Sequence, residues 1–313
     1  MGELRIHDQI PFDAVLIAGP TASGKSAAAL ALAEACHGTI VNADSMQVYR
    51  EVRILSARPP AADMARVPHL LYGHVGVTER YSVGRYQIDA AAALAEVRAQ
   101  GRLPIFVGGT GLYFAALTDG LAEIPPIPAA IREDARGKLA ALGVAGLHAE
   151  LARRDPETAA QLRPSDPQRV LRAYEVFEAT GRPLASWQRE AGVPVLKDLR
   201  LAKFVLDLPR PELRRRIESR FLAMLAAGAR AEAAALKTLD PTLPATKLLG
   251  LRQLLALDDG TMGEAEAVAA AVIATRQFAK RQSTWFRHRM ADWNRVEAKD
   301  NGNFISSMRQ IFS

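Results

Sequence analysis

Apolar residues in this chain fall into short continuous runs that alternate with stretches of helical periodicity. Between the runs lie stretches that predict helices, such as the Ala/Leu-rich segment Ala27–Ala35 and the segment from Tyr81 to about Gln100, which Gly101 ends. Continuous apolar strands that alternate with helices predict a parallel sheet flanked by helices, an α/β fold. The runs that suit buried strands are Ala14–Ala18, Thr39–Asn42, Pro104–Val107 and Leu201–Leu206.

The pattern changes after Gly120. Pro125–Pro128 interrupts the alternation, and the stretch beyond it predicts short helices, two of which start with an aspartate followed by proline, at Asp155 and Asp166. The strand-like run at Leu201 then returns the chain to the sheet. We therefore predict a core formed by residues 1–120 and 199–313, with an inserted all-helical subdomain at 121–198.

Two helices are predicted after the last strand. The first starts near Pro211 and carries Arg216 and Arg220 one turn apart, either as surface arginines or as a clamp on a phosphate group. The second runs from about Glu264 to Arg289. Its last turns mix aromatic residues with cations and no acid, which is typical of a helix that faces nucleic acid, although cations at a helix C-terminus also offset the helix dipole. These cations are Arg276, Lys280, Arg281, Arg287 and Arg289.

Composition narrows the function classes. The chain has 313 residues, 49% of them hydrophobic, which is ample for a globular core of one large domain or two. The apolar runs are far shorter than a membrane span and Met1–Phe12 is charged, so we expect a cytoplasmic protein that does not bind membranes. Cys36 is the single cysteine, which excludes an internal disulfide and indicates a core thiol. A net charge of +6 permits a polyanionic partner without requiring one.

A phosphate-binding loop is predicted between the first strand and the first helix. Its glycines and lysine have the spacing G-x-x-x-x-G-K-[ST], which lets backbone N–H groups and a helix N-terminus surround an anion. Lys25 would add a point charge, and Ser26 a hydroxyl for Mg²⁺. The motif predicts a bound phosphate chain but does not identify the molecule that carries the phosphates. It consists of Gly19, Pro20, Thr21, Ala22, Ser23, Gly24, Lys25 and Ser26.

Two further loops leave predicted strands at their carboxyl ends, the edge of an open α/β sheet where ligands bind. Asp44 follows the second strand and could be a helix N-cap, a Mg²⁺ ligand or a general base. Thr110 lies in the glycine-rich stretch after the third strand, which suits either close approach to a ligand or a packing turn.

Six stretches together resemble the tRNA dimethylallyltransferase (tRNA isopentenyltransferase) family. The most specific are Ala43–Arg50 (ADSMQVYR) and Val107–Tyr113 (VGGTGLY). The chain departs from the usual family pattern at Ile54–Pro59, Val67–Tyr72 and Leu249–Gln253. The other matching stretches are Gly19–Ser26, Tyr81–Arg85, Asp155–Pro183 and Ala274–Arg287.

The resemblance implies a P-loop NTPase-like fold that transfers a dimethylallyl group from dimethylallyl diphosphate to the exocyclic N6 of the adenosine 3′-adjacent to the anticodon. By position, the phosphate loop would hold the diphosphate with Mg²⁺ at Ser26, helped by Arg216 or Arg220. Asp44 would take the amine proton, and Thr110 would contact the leaving oxygen. We expect a monomer. The residues that the resemblance implies at the tRNA anticodon stem-loop are Asp44, Ser45, Met46, Gln47, Thr110, Arg132, Gln168, Arg169, Val170, Leu171, Arg172, Arg276, Lys280, Arg281, Gln282 and Ser283.

Three other functions suit parts of the chain. A small-molecule P-loop kinase would bind ATP in the loop and use Asp44 on an acceptor hydroxyl, but it leaves the basic C-terminal helix without a role. A non-catalytic RNA-binding NTPase would explain the charge but not Asp44 and Thr110 together. A free-nucleotide isopentenyltransferase would not need the helical insertion.

Overall fold

The computed structural model describes residues 11–190 and 192–297. The chain divides into two compact units: the sheet unit, Met1–Leu117 with Val195–Ser313, and the helical unit, Thr118–Pro194. None of the helices in the described ranges combines the length and apolar content that crossing a bilayer requires.

The sheet unit is built on one parallel sheet of six strands in the order β3-β2-β4-β1-β5-β6. Every residue of β1, β2 and β4 is buried, which explains why their sequences are largely apolar rather than alternating. The predicted α/β fold is thus confirmed. The strands are β1 (Ala14–Ala18), β2 (Gly38–Asn42), β3 (His69–Leu70), β4 (Leu103–Gly108), β5 (Leu201–Asp207) and β6 (Asn294–Glu297).

Two of these strands were not predicted from the sequence. β3 has only two residues, too few for a periodic signal, and lies in a proline-rich stretch. β6 is mostly exposed, with only Val296 buried, so it lacks an apolar run. Both lie at edges of the sheet, where a strand needs only one partner.

The helical unit contains the short helices that the sequence predicts, and also a longer helical segment. That segment spans 26 residues and consists of two helices that meet at a kink at Gly143, whose φ of 68° is not helical. The helices are α1 (Lys25–Ala35), α2 (Ala61–Arg66), α3 (Val83–Ala99), α4 (Gly111–Thr118), α5 (Ala129–Arg154), α6 (Pro156–Gln161), α7 (Pro167–Thr180), α8 (Leu184–Arg189), α9 (Arg210–Ala226), α10 (Ala229–Ala234), α11 (Leu251–Asp258) and α12 (Glu264–Arg289).

The two aspartates that precede prolines in the helical unit are helix N-caps. The carboxylate of Asp155 accepts the N–H of Thr158 at 2.9 Å and starts α6, and the carboxylate of Asp166 accepts the N–H of Arg169 at 3.1 Å and starts α7. Each cap satisfies an N–H that the helix itself leaves unpaired. Val170 and Tyr174, one turn apart on α7, are buried in the core of this unit.

Two apolar cores cover the faces of the sheet. Leu16 and Ala18 of β1 contribute to one core and Val15 and Ile17 to the other, as side chains alternate along a strand. Cys36 lies in the second core, and its Sγ donates to the carbonyl of Leu32 at 2.9 Å. Burial raises the pKa of Cys36 to about 12, so it is a core thiol and not a nucleophile.

Candidate active site

Strand register brings the predicted loops to one edge of the sheet. Ala18, the last residue of β1, pairs with Gly108 at the end of β4, and Asn42 at the end of β2 pairs with Val107. The chain segments that follow these residues therefore leave the sheet at the same level. The phosphate loop, the turn at Asp44 and the loop at Thr110 lie side by side for this reason.

The phosphate loop curls into α1 through two residues with positive φ, Ala22 at 67° and Gly24 at 91°. Lys25 is the first residue of α1, and its Nζ lies 3.5 Å from the carbonyl oxygen of Pro20. The first N–H groups of α1 have no partner within the helix, so they are available to an anion. Ser23 is fully buried, and its Oγ has no hydrogen-bond partner among the described residues.

Three cations converge on this loop. Arg220 of α9 donates to the hydroxyl of Thr21, and the Arg216 guanidinium lies 3.5 Å from the position that a Cβ on Gly24 would take. Desolvation lowers the pKa of Lys25 to about 8, although part of its side chain stays accessible; Asp44 opposes this shift and Arg220 adds to it. Burial likewise lowers the pKa of Arg220. A cluster of partly desolvated cations favours a multiply charged anion.

Asp44 starts a turn, not a helix, which removes the helix-cap alternative. Its Oδ1 accepts the N–H of Met46 at 3.0 Å, and its own N–H donates to Oδ1 of Asn42 at 2.9 Å. The buried Asn42 also donates to the carbonyl of Leu71 at 3.0 Å, so this asparagine fixes the turn to the sheet. Asp44 Oδ2 lies 3.2 Å from where a Cβ on Gly109 would be, which requires glycine or a shift there.

Thr110 joins the turn at Asp44 to the loop after β4. Its Oγ1 accepts the N–H of Ser45 at 2.9 Å and lies 3.2 Å from the Oγ of Ser45. Its backbone N–H donates to the carbonyl of Ala43 at 3.2 Å. The hydroxyl is therefore held beside Asp44 by groups of the other loop.

Gln282 of α12 connects the phosphate loop to the loop after β4, a role that the sequence did not indicate. Its Oε1 accepts the N–H of Thr21 at 2.9 Å, and its Nε2 donates to the carbonyl of Gly109 at 2.8 Å. The side chain is 6% exposed. Since both ends of its amide are used within the protein, the expected contact of Gln282 with tRNA does not suit this placement.

Gln47 differs from its expected role in the same way. Its side chain is 8% exposed, and Nε2 donates to the carbonyls of Ser56 and Ala57 at 3.0 and 2.9 Å. The hydrogen-bonding capacity of this amide nitrogen is directed at the protein's own backbone. Ser45 and Met46, by contrast, line the cavity described next.

A cavity of about 220 Å³ opens beside these groups. Thr21, Asp44, Ser45 and Arg220 give it a polar wall. Most of the remaining lining is apolar, and because these residues come from distant segments of the chain, sequence motifs did not reveal the cavity. The apolar lining includes Leu55, Ile217, Phe221, Met224, Leu248 and Phe278, and the other polar lining residues are Ser56, Lys247 and Thr275.

The residues present suit a Mg²⁺ ion that is held mainly by its substrate. Ser26 is exposed at the first turn of α1, where its hydroxyl can serve as one ligand. The described residues contain no group of three His, Cys, Asp or Glu side chains that could hold a metal by themselves. Mg²⁺ commonly takes one or two protein ligands together with substrate phosphates and water.

The basic end of α12 is exposed. Lys280 and Arg281 have no carboxylate within 4 Å among the described residues, and the Arg281 guanidinium lies 5.7 Å from the centre of the Phe278 ring. Arg276 is half-buried, with its Nη2 3.4 Å from Glu218. Ser283 is also half-buried. Lys280 and Arg281 are thus the members of this helix best placed to meet a polyanion.

The candidate residues of the helical unit divide by burial. Gln168 and Arg169 are exposed, whereas Arg132, Leu171 and Arg172 are half-buried. Arg172 Nη1 lies 3.9 Å from the Glu175 carboxylate. Val170 is fully buried in the core of this unit, so its side chain is not placed to contact tRNA as expected; the apolar periodicity of α7 already indicated this burial.

Comparison with known proteins identifies the family. The model of the IPP transferase family matches residues 47–289, and that of the isopentenyl transferase family matches residues 12–72. A tRNA dimethylallyltransferase from Azorhizobium caulinodans is 54% identical over 286 residues, covering 90% of this chain and 91% of the relative. The chain belongs to the tRNA dimethylallyltransferase family. It is therefore a prenyltransferase of the tRNA-modifying class.

Other relatives agree with this membership. A tRNA dimethylallyltransferase of Rhodopseudomonas palustris is 54% identical, over 90% of both chains. The crystal structure of a tRNA isopentenylpyrophosphate transferase from Bacillus halodurans superposes with a TM-score of 0.67 at 30% identity, covering 96% of this chain and 95% of the other. A structure of a eukaryotic dimethylallyltransferase acting on tRNA gives a TM-score of 0.79 at 25% identity, covering 95% of this chain and 77% of that one.

The Gln282 bridge generates a stability prediction. Gln282→Ala would leave the N–H of Thr21 and the carbonyl of Gly109 without their buried partner. We expect the free energy of unfolding to fall by about 2–4 kcal/mol, measured by urea denaturation. Gln277→Ala, on an exposed position of the same helix, is the matched control and should change it by less than about 0.5 kcal/mol. Equal effects of the two substitutions would contradict a bridging role.

Proposed function

We propose that this protein transfers a dimethylallyl group from dimethylallyl diphosphate to the exocyclic N6 of the adenosine 3′-adjacent to the anticodon in tRNA. The observation that carries the proposal is the composition of one cavity. Arg220, Thr21 and the neighbouring Lys25 supply cationic and hydrogen-bonding groups for a diphosphate, and Asp44 supplies a carboxylate. Most of the remaining lining is apolar and suits an allylic hydrocarbon.

The chemistry follows from the charges at this cavity. The amine nitrogen of adenine forms a bond to the allylic carbon, the carbon–oxygen bond breaks, and its electron pair leaves with the diphosphate. Lys25, Arg216 and Arg220 stabilise the negative charge that develops on the leaving group. Asp44 accepts the proton that N6 loses, and Thr110 donates to the leaving oxygen. Mg²⁺ at Ser26, when bound, would neutralise further charge on the diphosphate.

The target adenine must leave its stack to enter such a cavity. Ser45 and Met46 line the cavity beside Asp44 and are the residues that would contact the flipped base. Lys280 and Arg281 on α12, and Arg132, Gln168, Arg169 and Arg172 in the helical unit, are proposed to bind RNA backbone. A small-molecule kinase remains the alternative function, but no feature of the site favours it over prenyl transfer.

The donor is the first point to test. We expect purified protein with Mg²⁺, dimethylallyl diphosphate and unmodified tRNA to produce N6-isopentenyladenosine, detected by mass spectrometry of digested tRNA. ATP in place of the prenyl donor should give no phosphorylated product. Transfer of the γ-phosphate to an acceptor, without prenyl transfer to tRNA, would contradict the proposal.

The catalytic roles predict large rate losses without unfolding. Asp44→Asn keeps the size of the side chain but removes the proton acceptor, so single-turnover rates should fall by roughly two to four powers of ten. Thr110→Ala should lower them by about two powers of ten, and Thr110→Ser, which keeps the hydroxyl, should restore most of the rate. The affinity for tRNA should change far less.

Asp63→Asn, a half-buried carboxylate on α2 paired with Arg66, is the control for loss of one negative charge. Thermal melts of all variants separate chemistry from folding. Near-normal single-turnover rates of Asp44→Asn and Thr110→Ala would remove both residues from the mechanism.

RNA binding predicts a change in salt dependence. Arg172→Ala and Arg281→Ala should each weaken tRNA binding and lower the log–log slope of affinity against salt by about one unit or less, because a phosphate contact and its displaced counterion are lost. Binding of dimethylallyl diphosphate should be unaffected. Arg66→Ala, whose guanidinium pairs with Glu34, is the matched control for removing an arginine. If the log–log slope of tRNA affinity against salt is unchanged in both test variants, the two arginines are solvated surface residues that do not bind RNA.

A further inference from the structure

One part of the cavity wall lies in a stretch that departs from the family pattern, and it is held by a side chain far away in sequence. Residues 53–57 form a turn beside the cavity, and Leu55, Ser56 and Ala57 line it. Glu232 of α10 accepts the N–H groups of Arg53 and Ile54 on Oε2 and that of Leu55 on Oε1, each at 2.8 Å. One carboxylate thus holds three consecutive backbone donors.

This contact is not part of an ion pair. No Lys, Arg or His side chain lies within 4 Å of the Glu232 carboxylate in residues 11–190 and 192–297, so its hydrogen bonds go to the turn. Hydrogen bonds to a charged acceptor are stronger than those between neutral groups, and three of them fix both the position and the orientation of a turn. The charge of Glu232 is therefore directed at positioning backbone.

The other half of the turn is held from the opposite direction. Gln47, which follows the turn at Asp44, donates to the carbonyls of Ser56 and Ala57. Ala57 has a φ of 52°, a left-handed conformation that costs a residue with a Cβ some free energy and persists only when surrounding contacts maintain it. The turn is thus a strained segment whose shape depends on Glu232 and Gln47.

We propose that Glu232 is a positioning residue that sets the wall of the donor cavity at Leu55–Ala57 by anchoring the N–H groups of Arg53, Ile54 and Leu55. This inference rests on the proposed function, because it assigns the wall to the site of dimethylallyl diphosphate. Asp44 and Thr110 are fixed by their own contacts to Asn42 and Ser45, so loosening the wall should weaken donor binding more than the chemical step.

The test compares Glu232→Ala, Glu232→Gln and Gln47→Ala with the wild type. Hydrogen exchange of the free protein should be about tenfold faster or more at residues 53–57 in Glu232→Ala, with a smaller effect in Glu232→Gln, whose amide oxygen can still accept. The equilibrium Kd and the KM for dimethylallyl diphosphate should rise about tenfold in Glu232→Ala, while kcat changes less than about threefold. Gln47→Ala should likewise raise the Kd and the KM for dimethylallyl diphosphate while changing kcat little. The KM for tRNA should stay unchanged.

Glu34→Ala, which removes an exposed carboxylate paired with Arg66, is the matched control and should alter none of these values. Faster exchange without a change in donor Kd would overturn the proposal, because the anchor would then be structural only. Unchanged exchange, or a loss confined to kcat, would overturn it as well. If Glu232→Ala does not fold, Glu232→Gln is judged by the same criteria. Failure of the wild type to prenylate tRNA would refute the proposed function, whereas exchange and equilibrium binding of the donor would still decide the role of Glu232.

Discussion

The parallel pairing of β2, β4 and β1 is the constraint on which the site depends. Hydrogen bonds between these strands fix Asn42 opposite Val107 and Ala18 opposite Gly108, so their loops begin at one level. Close approach at this edge requires small residues. A Cβ on Gly108 would collide with the backbone of Ala43, and a Cβ on Gly109 would collide with Gln282. Gly108 at the end of β4 and Gly109 after it therefore let two loops and α12 approach one another closely.

Uncharged amide side chains connect the loops at the carboxyl edge of the sheet. Asn42, Gln47 and Gln282 are buried, and each donates a hydrogen bond to a backbone carbonyl of another segment. A buried amide can satisfy a donor and an acceptor at once without the desolvation cost of a charge. The charged side chains of Asp44 and Arg220 line the cavity.

The cations of the sheet unit fall into two groups that differ in burial. In the sheet unit, desolvated cations cluster at the phosphate loop, and solvated cations such as Lys280 and Arg281 lie along α12. Desolvated cations suit a compact diphosphate, because burial strengthens their attraction for it. Solvated cations suit an extended polyanion, whose binding is driven by release of counterions.

Sequence alone determined the parts of this protein that depend on local order along the chain. The strands β1, β2, β4 and β5, the phosphate loop, the helix caps at Asp155 and Asp166, and the family itself follow from apolar runs and motif spacing. Tertiary structure alone decided the roles of Gln47, Gln282 and Glu232, because each acts on backbone groups of another segment. Gln282 lies 261 residues from Thr21 along the chain, and Glu232 lies 179 residues from Arg53. A sequence pattern reports which face of an element is buried, but not which distant backbone group a buried polar atom will meet.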